Sequence, residues 1–243
     1  MAVMTRPFSI RAALRNLAGD RGLRLAAASG VFAAASFFPL PWGLGAVLML
    51  GALVPLLEAA RGAGWRRGAW YGAVMGLTAV AGAFHWLLPL IARFSGLPLP
   101  IAFLGFAAAA AWGAVFWALL GALWGSRRAG PLLVVFMPVA LECVWPRVFR
   151  WHFGDPLAEI PVLAQISDLA GMSGRSLLVL TVNYALWRVT LWCRRRIPFP
   201  RAAAATALAF LAATAAYGAY CFTLPAALAP RLDVALVHAA IAL

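Results

Sequence analysis

The sequence predicts an all-α polytopic membrane protein, a bundle of about seven transmembrane helices, and two observations lead to this fold class. Hydrophobic residues make up 65% of the 243 positions and charged residues 11%, whereas a soluble domain carries about 45–50% and about 25%. Polar side chains are too few to cover a water-soluble globule, and the chain is too hydrophobic to be disordered. The apolar residues also form long runs, and about 20 of them cross a bilayer as a helix.

The net charge is +13, and all 20 basic residues are arginines, with no lysine anywhere in the chain. The arginines lie in short clusters between apolar runs. This pattern favours anionic lipid headgroups over nucleic acid as the counter-charge. We therefore expect a membrane as partner and no nucleic acid.

The chain begins with a basic segment at 1–24, which we predict to be cytoplasmic and followed by a retained first helix. Seven apolar runs follow, at residues 25–38, 42–57, 68–91, 98–124, 131–145, 176–192 and 202–224. Pro39 and Pro41 separate the first two short runs, so 25–57 forms either two tilted spans or one re-entrant hairpin. Residues 25–224 are thus the predicted bundle, with an outer loop at 146–175.

The arginines predict the orientation of the bundle. With a cytoplasmic amino terminus, 14 arginines fall inside and 5 outside, and Arg188 lies near the inner end of its helix. The positive-inside rule favours this arrangement. Seven spans then place the carboxyl terminus outside, which is the periplasm if the source is a bacterium.

Glycine spacing indicates close helix packing. Gly68, Gly72 and Gly76 recur every four residues, and Gly121 and Gly125 repeat the interval. Small residues on one face let two helix backbones approach closely inside a membrane.

Two polar positions stand out near the outer side of the predicted bundle. Glu142 lies in the run PVALECVWP, where it is either an interfacial carboxylate paired with Arg147 or Arg150, or a group that shapes an outward-opening cavity. His85 and Trp86 lie near the outer end of the third run, where an aromatic belt is expected.

The loop 146–175 is long for a simple connection. It combines Trp151, His152 and Gly154 with a later series of polar and glycine residues, namely Gln165, Asp168, Gly171 and Gly174. We expect it either to pack at the outer surface, with an interfacial half-helix, or only to cap the bundle.

No catalytic arrangement is evident in this sequence. Cys143, Cys193 and Cys221 have no CxxC spacing, and the three histidines share no helix face. Ser173 and Ser176 have no histidine nearby. We predict no catalytic residue, no metal and no cofactor in this chain.

The end of the chain differs from the bundle. Residues 231–243 read RLDVALVHAAIAL, which is too short to cross a membrane and is typical of a buried β-strand. Since a lone strand cannot form a sheet, we expect it to begin a domain that this chain does not contain.

Four stretches resemble the amino-terminal membrane region of bacterial apolipoprotein N-acyltransferases. They are SFFPLPWGLGAVLMLGALVPLL, FHWLLPLIARFSGLPLPIAFLGF, ALECVWPRVFRWHFGDPLAEIPVLAQISDLAGMSGRSLLVLTVNYALW and LDVALVHAAI. The third is the most specific, since it resembles the family's glutamate, aromatic-glycine element and Gln-x-x-Asp-x-x-Gly-x-x-Gly series. Arg150 stands where the family commonly has proline.

The resemblance implies a function. In that family the bundle carries a periplasmic nitrilase-like domain with a Glu-Lys-Cys triad, which moves an acyl chain from phospholipid to a diacylated lipoprotein. We expect 225–243 to be the linker and first strand of that truncated domain and this chain to be inactive alone. Glu142, Trp151, His152, His85 and Trp86 would line the access of lipid substrates.

Two other functions are compatible with the sequence. Related bundles are thought to anchor a polyprenol-phosphate glycosyltransferase, so the chain could be a non-catalytic membrane scaffold. A small transporter ranks last, because the two halves show no internal repeat.

Overall fold

The computed structural model describes residues 19–126, 130–147 and 149–224, and within these ranges the fold is helical with no strand. The all-α prediction is confirmed. The predicted strand in 225–243 and most of the basic segment 1–24 lie outside the described residues.

Ten α-helices follow one another in the described ranges. They are α1 Arg21–Ala35, α2 Leu44–Met49, α3 Val54–Ala60, α4 Gly64–Ala83, α5 Leu87–Ser95, α6 Leu99–Gly125, α7 Met137–Val144, α8 Pro161–Ala164, α9 Ser167–Cys193 and α10 Arg201–Thr223. A 3₁₀ turn at Pro41–Gly43 precedes α2, and another spans Asp155–Glu159. A π-helical segment, Leu132–Phe136, runs directly into α7.

The predicted count of about seven spans is not confirmed. In the part of the chain that the structure describes, four helical segments are long and apolar enough to cross a membrane, namely Pro41–Ala60, Leu99–Gly125, Ser167–Cys193 and Arg201–Thr223. A fifth span results if α4 and α5, which meet at a 60° bend, count as one. Helix α1 has 15 residues and Leu132–Val144 is also short, because prolines and polar residues limit both.

Residues 25–57 form two antiparallel arms, α1 and the broken segment Pro41–Ala60. The break falls at 50–53, where the regular helical hydrogen bonding is interrupted. Asn183 of α9 repairs it, because its amide nitrogen donates to the Met49 carbonyl at 2.9 Å and its amide oxygen accepts from the Leu53 N–H at 2.9 Å. Ser29 of α1 donates to the Ala52 carbonyl at 2.5 Å. Irregular backbone is tolerated at membrane depth when side chains satisfy it in this way.

The glycine faces predicted from spacing meet each other between α4 and α6. Gly68 lies against the Gly121 carbonyl, and Gly72 lies against the carbonyl of Trp117. A Cβ added to Gly76 would stand 2.8 Å from the Ala114 Cα. The two backbones are therefore in contact, and α4 and α6 form the tightest pair in the bundle.

Successive passes alternate in direction, and the arginine clusters gather at one end, which we call the basic end. Glu58, at the end of α3, accepts hydrogen bonds from Arg194 at 2.9 Å and Arg196 at 3.4 Å, which follow α9. The end of α6 adjoins the start of α4, where a Cβ on Gly125 would meet the Gly64 carbonyl at 2.6 Å. The outer loop 146–175 and the α5–α6 turn lie at the opposite end.

Candidate functional site

The loop 146–175 is folded into the bundle at the end opposite the basic end, which goes beyond a surface cap. Phe153 and Leu157 are fully buried. Gly154 packs on the backbone of α9, since an added Cβ would stand 2.6 Å from the Ser176 nitrogen, and its own N–H donates to Ser176 Oγ at 3.2 Å. Only a residue without a side chain permits this approach.

Glu142 anchors the same loop from α7. Its side chain is buried with 4% exposure, and Oε1 accepts the Phe153 N–H at 2.6 Å. The guanidinium of Arg147 donates to the backbone carbonyls of Glu142 and Trp151. Of the two alternatives for Glu142, the pairing with Arg147 or Arg150 is not seen, since no arginine of the described residues lies within 4.0 Å of the carboxylate. Because the Phe153 N–H of the loop donates to the carboxylate, Glu142 holds the loop in place.

Trp151 lies inside an aromatic cluster built on α6. Its ring stacks on Trp117 with 6.0 Å between centroids, and the rings of Phe116 and Phe153 meet it edge-on at 5.7 and 5.9 Å. The Arg147 guanidinium stands 5.3 Å above the Trp151 ring. Cation–π contact in a desolvated setting adds to the packing energy, so Arg147 and Trp151 are fixed together.

An apolar cleft of about 350 Å³ opens beside this cluster. It lies between the end of α4, α5, the first half of α6 and the beginning of the outer loop. Its walls are apolar except for Arg147 and the indole nitrogens. The residues that line it are Val80, Phe84, Leu87, Ile91, Phe106, Ala109, Ala110, Trp112, Gly113, Phe116, Trp145, Arg147, Phe149 and Trp151. Trp112 Nε1 donates to the Pro146 carbonyl at 2.8 Å and so ties the loop to α6. We call this space the aromatic cleft.

The other predicted access residues lie around the cleft without joining one cluster. Trp86 meets Phe149 edge-on at 5.5 Å. His85 is exposed, stacks on Phe38 at 5.6 Å, and its Nδ1 lies 2.9 Å from the Gly82 carbonyl. His152 does not line the cleft. Its backbone N–H donates to Asp155 Oδ2 at 2.8 Å, and its ring lies beside that carboxylate. Burial lowers the pKa of His152 below its usual value.

The later loop residues have structural positions. Gly171 has φ +59° and ψ −157°, a conformation that is essentially restricted to glycine, and it kinks the first turn of α9. Gly174 follows, where an added Cβ would stand 2.8 Å from the Ala170 Cβ. Asp168 is exposed and Gln165 is half-buried. The Gln-x-x-Asp-x-x-Gly-x-x-Gly series therefore shapes the start of α9.

The sequence analysis did not single out several residues that build the bundle and the cleft. Asn183 gave a usable signal, because it is a buried polar residue in the middle of an apolar run. Trp112, Phe116 and Trp117 gave none, since aromatic residues are frequent throughout this chain. Among the described ranges, no group of three or more His, Cys, Asp and Glu side chains could hold a metal ion.

The fold and site define a class of protein, a helical membrane bundle that presents an apolar cleft and a folded polar loop at one end. Comparison with known proteins identifies the family within that class. The family model described as apolipoprotein N-acyltransferase N-terminal domain matches residues 29–185. The chain belongs to this family.

Curated relatives share low identity with the chain. It is 29% identical over 209 residues to the apolipoprotein N-acyltransferase of Geobacter metallireducens, covering 82% of this chain and 39% of the relative. It is 26% identical over 185 residues to that of Bdellovibrio bacteriovorus, covering 71% and 32%. It is 28% identical over 127 residues to apolipoprotein N-acyltransferase 2 of Leptospira interrogans, covering 50% and 21%. The chain thus spans between about a fifth and two fifths of the length of these relatives.

Proposed function

We propose that this chain is the membrane-embedded amino-terminal part of an apolipoprotein N-acyltransferase of a bacterial inner membrane. The complete enzyme transfers an acyl chain from a phospholipid to a cysteine thiol and then to the α-amino group of a diacylated lipoprotein cysteine. The chemistry belongs to a nitrilase-like domain outside this chain, because a Glu-Lys-Cys triad needs a lysine and the chain has none. The bundle embeds that domain and presents lipid to it.

The aromatic cleft is the observation that carries this proposal. Its volume of about 350 Å³ lies within the roughly 300–1,000 Å³ of ligand pockets. Apolar walls suit an acyl chain, and Arg147 at the loop side suits the phosphate of a headgroup. The exposed rings around the mouth, such as Trp86, suit the membrane interface. Lipid would enter laterally between α5 and α6.

Orientation follows from the charge distribution. The basic end would face the cytoplasm together with the amino terminus, and the cleft and carboxyl terminus would face the periplasm. In this orientation the cleft would lie at the outer leaflet, close to a periplasmic nitrilase-like domain.

Filling the cleft tests the access route. Ala109 lines the cleft and Ala108, the preceding residue, is exposed on another face of α6. A photoactivatable phosphatidylethanolamine should crosslink to wild type in nanodiscs, and Ala109→Trp should reduce the crosslinking about tenfold, since an indole occupies the space. Ala108→Trp is the matched control and should keep it. Equal crosslinking in both variants would contradict lipid access through the cleft.

Activity measurements separate the functions. The chain alone should not N-acylate a diacylated lipopeptide, and the same chain joined to a nitrilase-like domain should do so. Robust activity of the chain alone would refute the absence of catalytic groups. No activity of the joined protein, together with stable binding of a polyprenol-phosphate glycosyltransferase, would favour the scaffold alternative.

A further inference from the structure

A second cavity lies at the basic end, on the opposite side of the bundle from the aromatic cleft. Its volume is about 430 Å³, and it is bounded by the π-helical segment before α7, the second half of α9 and the first turns of α10. Its walls combine an apolar part, with Val135 and Phe136, and a polar part, with Thr181, Tyr184, Arg188 and Arg201. We call it the basic-end cavity. Short π-helical segments inside helices are frequent at functional sites.

Arg188 brings an unbalanced charge into this cavity. It lies within α9, five residues before the helix ends at Cys193, which is about 7.5 Å along the axis. One guanidinium nitrogen, Nη1, donates to the Tyr184 hydroxyl at 3.2 Å, and the group stands 5.9 Å from the centre of that ring. Nε is buried without a hydrogen-bond partner among the described residues. A guanidinium has five N–H donors, and at membrane depth each unpaired one is costly.

The described part of the chain offers this charge no carboxylate. No Asp or Glu oxygen of that part lies within 4.0 Å of Arg188 or Arg201. The two acidic residues described at this end have other partners. Glu58 accepts hydrogen bonds from three arginines, which are Arg61, Arg194 and Arg196. Asp20 caps the start of α1 and accepts a hydrogen bond from the Tyr71 hydroxyl. Within the described ranges, the cavity therefore holds two arginines and no carboxylate that balances their charge.

The position of the cavity relative to the membrane surface indicates which kind of anion could bind there. Trp192 and Phe199 meet edge-on at 5.0 Å beside the loop that joins α9 to α10, and both are exposed, as is typical of side chains at a headgroup interface. Arg201 stands at the first position of α10, at the same level. A ligand here would meet two guanidinium groups at headgroup depth and apolar walls further in.

We propose that the basic-end cavity binds the phosphate of an anionic phospholipid, held by Arg188 and Arg201, with an acyl chain against Val135 and Phe136. Guanidinium groups bind phosphate through paired charge-assisted hydrogen bonds, and basic pockets between transmembrane helices bind anionic headgroups. The site is separate from the aromatic cleft and does not depend on acyl transfer. Its ligand holds the π-helical segment, α9 and α10 together at this end of the bundle.

The test measures binding of phosphatidylglycerol to the full 243-residue chain in mixed phosphatidylcholine micelles, by native mass spectrometry and by the shift in Tm. Wild type should retain at least one phosphatidylglycerol and should gain thermal stability from it. Arg188→Gln/Arg201→Gln should weaken that binding at least tenfold, because each hydrogen bond to a charged group contributes roughly tenfold or more. Arg201→Gln alone, at an exposed position that does not disturb α9, should weaken it several-fold.

The matched control is Arg66→Gln/Arg67→Gln, which removes the same charge from exposed positions at the same end of the bundle. Its affinity for phosphatidylglycerol should stay within twofold of wild type. Equal losses in both double variants would overturn the proposal in favour of general surface attraction. A full Tm shift from inorganic phosphate, with no further gain from phosphatidylglycerol, would also overturn the lipid assignment. Neither result would bear on access through the aromatic cleft.

Discussion

At the scale of single residues, the most consequential position is Asn183, a fully buried polar side chain in α9. One amide group satisfies both a carbonyl and an N–H that the break between α2 and α3 leaves free. An apolar side chain of similar size would pack equally well but would leave both backbone groups unpaired. Water is not available at membrane depth to pair with these backbone groups. The Asn183 amide therefore determines where the broken segment Pro41–Ala60 packs against α9.

Replacing this amide should destabilise the bundle. We expect Asn183→Leu to reduce the free energy of unfolding in detergent by about 1–3 kcal/mol, the cost of buried unpaired polar groups. Thr190→Val in the same helix is the control, because the Thr190 hydroxyl bonds only to the Trp187 carbonyl of its own helix, and it should change stability by less than about 0.5 kcal/mol. Equal losses in the two variants would show that Asn183 contributes only as an ordinary helix residue.

At the scale of elements, the bundle is organised by the contact between α4 and α6. Glycines at four-residue intervals on both helices bring the backbones together, and the aromatic cluster of Phe116 and Trp117 continues from the same face of α6 towards the cleft. The helix pair thus connects packing at the basic end with the shape of the cleft at the opposite end.

A methyl group at this contact should separate the two helices. We expect Gly72→Ala to cost about 1–3 kcal/mol by overpacking, because its Cβ would stand 2.7 Å from the Trp117 carbonyl carbon. Gly105→Ala on α6 meets only Ile91 at 3.7 Å and should be neutral or stabilising by up to about 1 kcal/mol, since alanine favours helix. Thermal unfolding of both variants in the same detergent measures the difference. A neutral Gly72→Ala would contradict the close contact.

At the scale of the whole molecule, the two ends of the bundle differ both in charge and in structure. The basic end collects arginines from the beginnings and ends of α3, α4, α9 and α10, with Glu58 at the centre of one cluster. The opposite end holds the folded loop and the aromatic cleft. A bilayer with an anionic cytoplasmic surface distinguishes these ends.

Labelling in whole cells should reveal the orientation. A membrane-impermeant maleimide should react with Ser95→Cys, an exposed position in the α5–α6 turn, in a chain whose native cysteines are replaced by serine. The comparison is a chain that keeps only Cys193, exposed at the basic end, which should react only after the cells are permeabilised. The reverse pattern would invert the proposed topology and remove the cleft from the periplasmic side.

The sequence predicted those features that depend on composition and spacing. The helical membrane class follows from the lack of polar residues, the glycine faces follow from four-residue intervals, and the separation of arginines follows from their clustering between apolar runs. The resemblance of the stretch around Glu142 to one family also required only the order of residues. These properties depend on residues that are close in sequence, so they can be predicted without knowing which residues are in contact in the folded chain.

Only the tertiary structure decided how the polar groups are used. The sequence left open whether Glu142 pairs with an arginine or shapes a cavity. In the structure it accepts a backbone N–H, while Arg147 donates to carbonyls and stands over an aromatic ring. Asn183 repairs a helix 130 positions away in sequence, and Arg188 enters a cavity built from three separate segments. A polar side chain inside a membrane takes whichever partner the packing of distant helices brings within about 3 Å, and that proximity is not encoded in any local pattern.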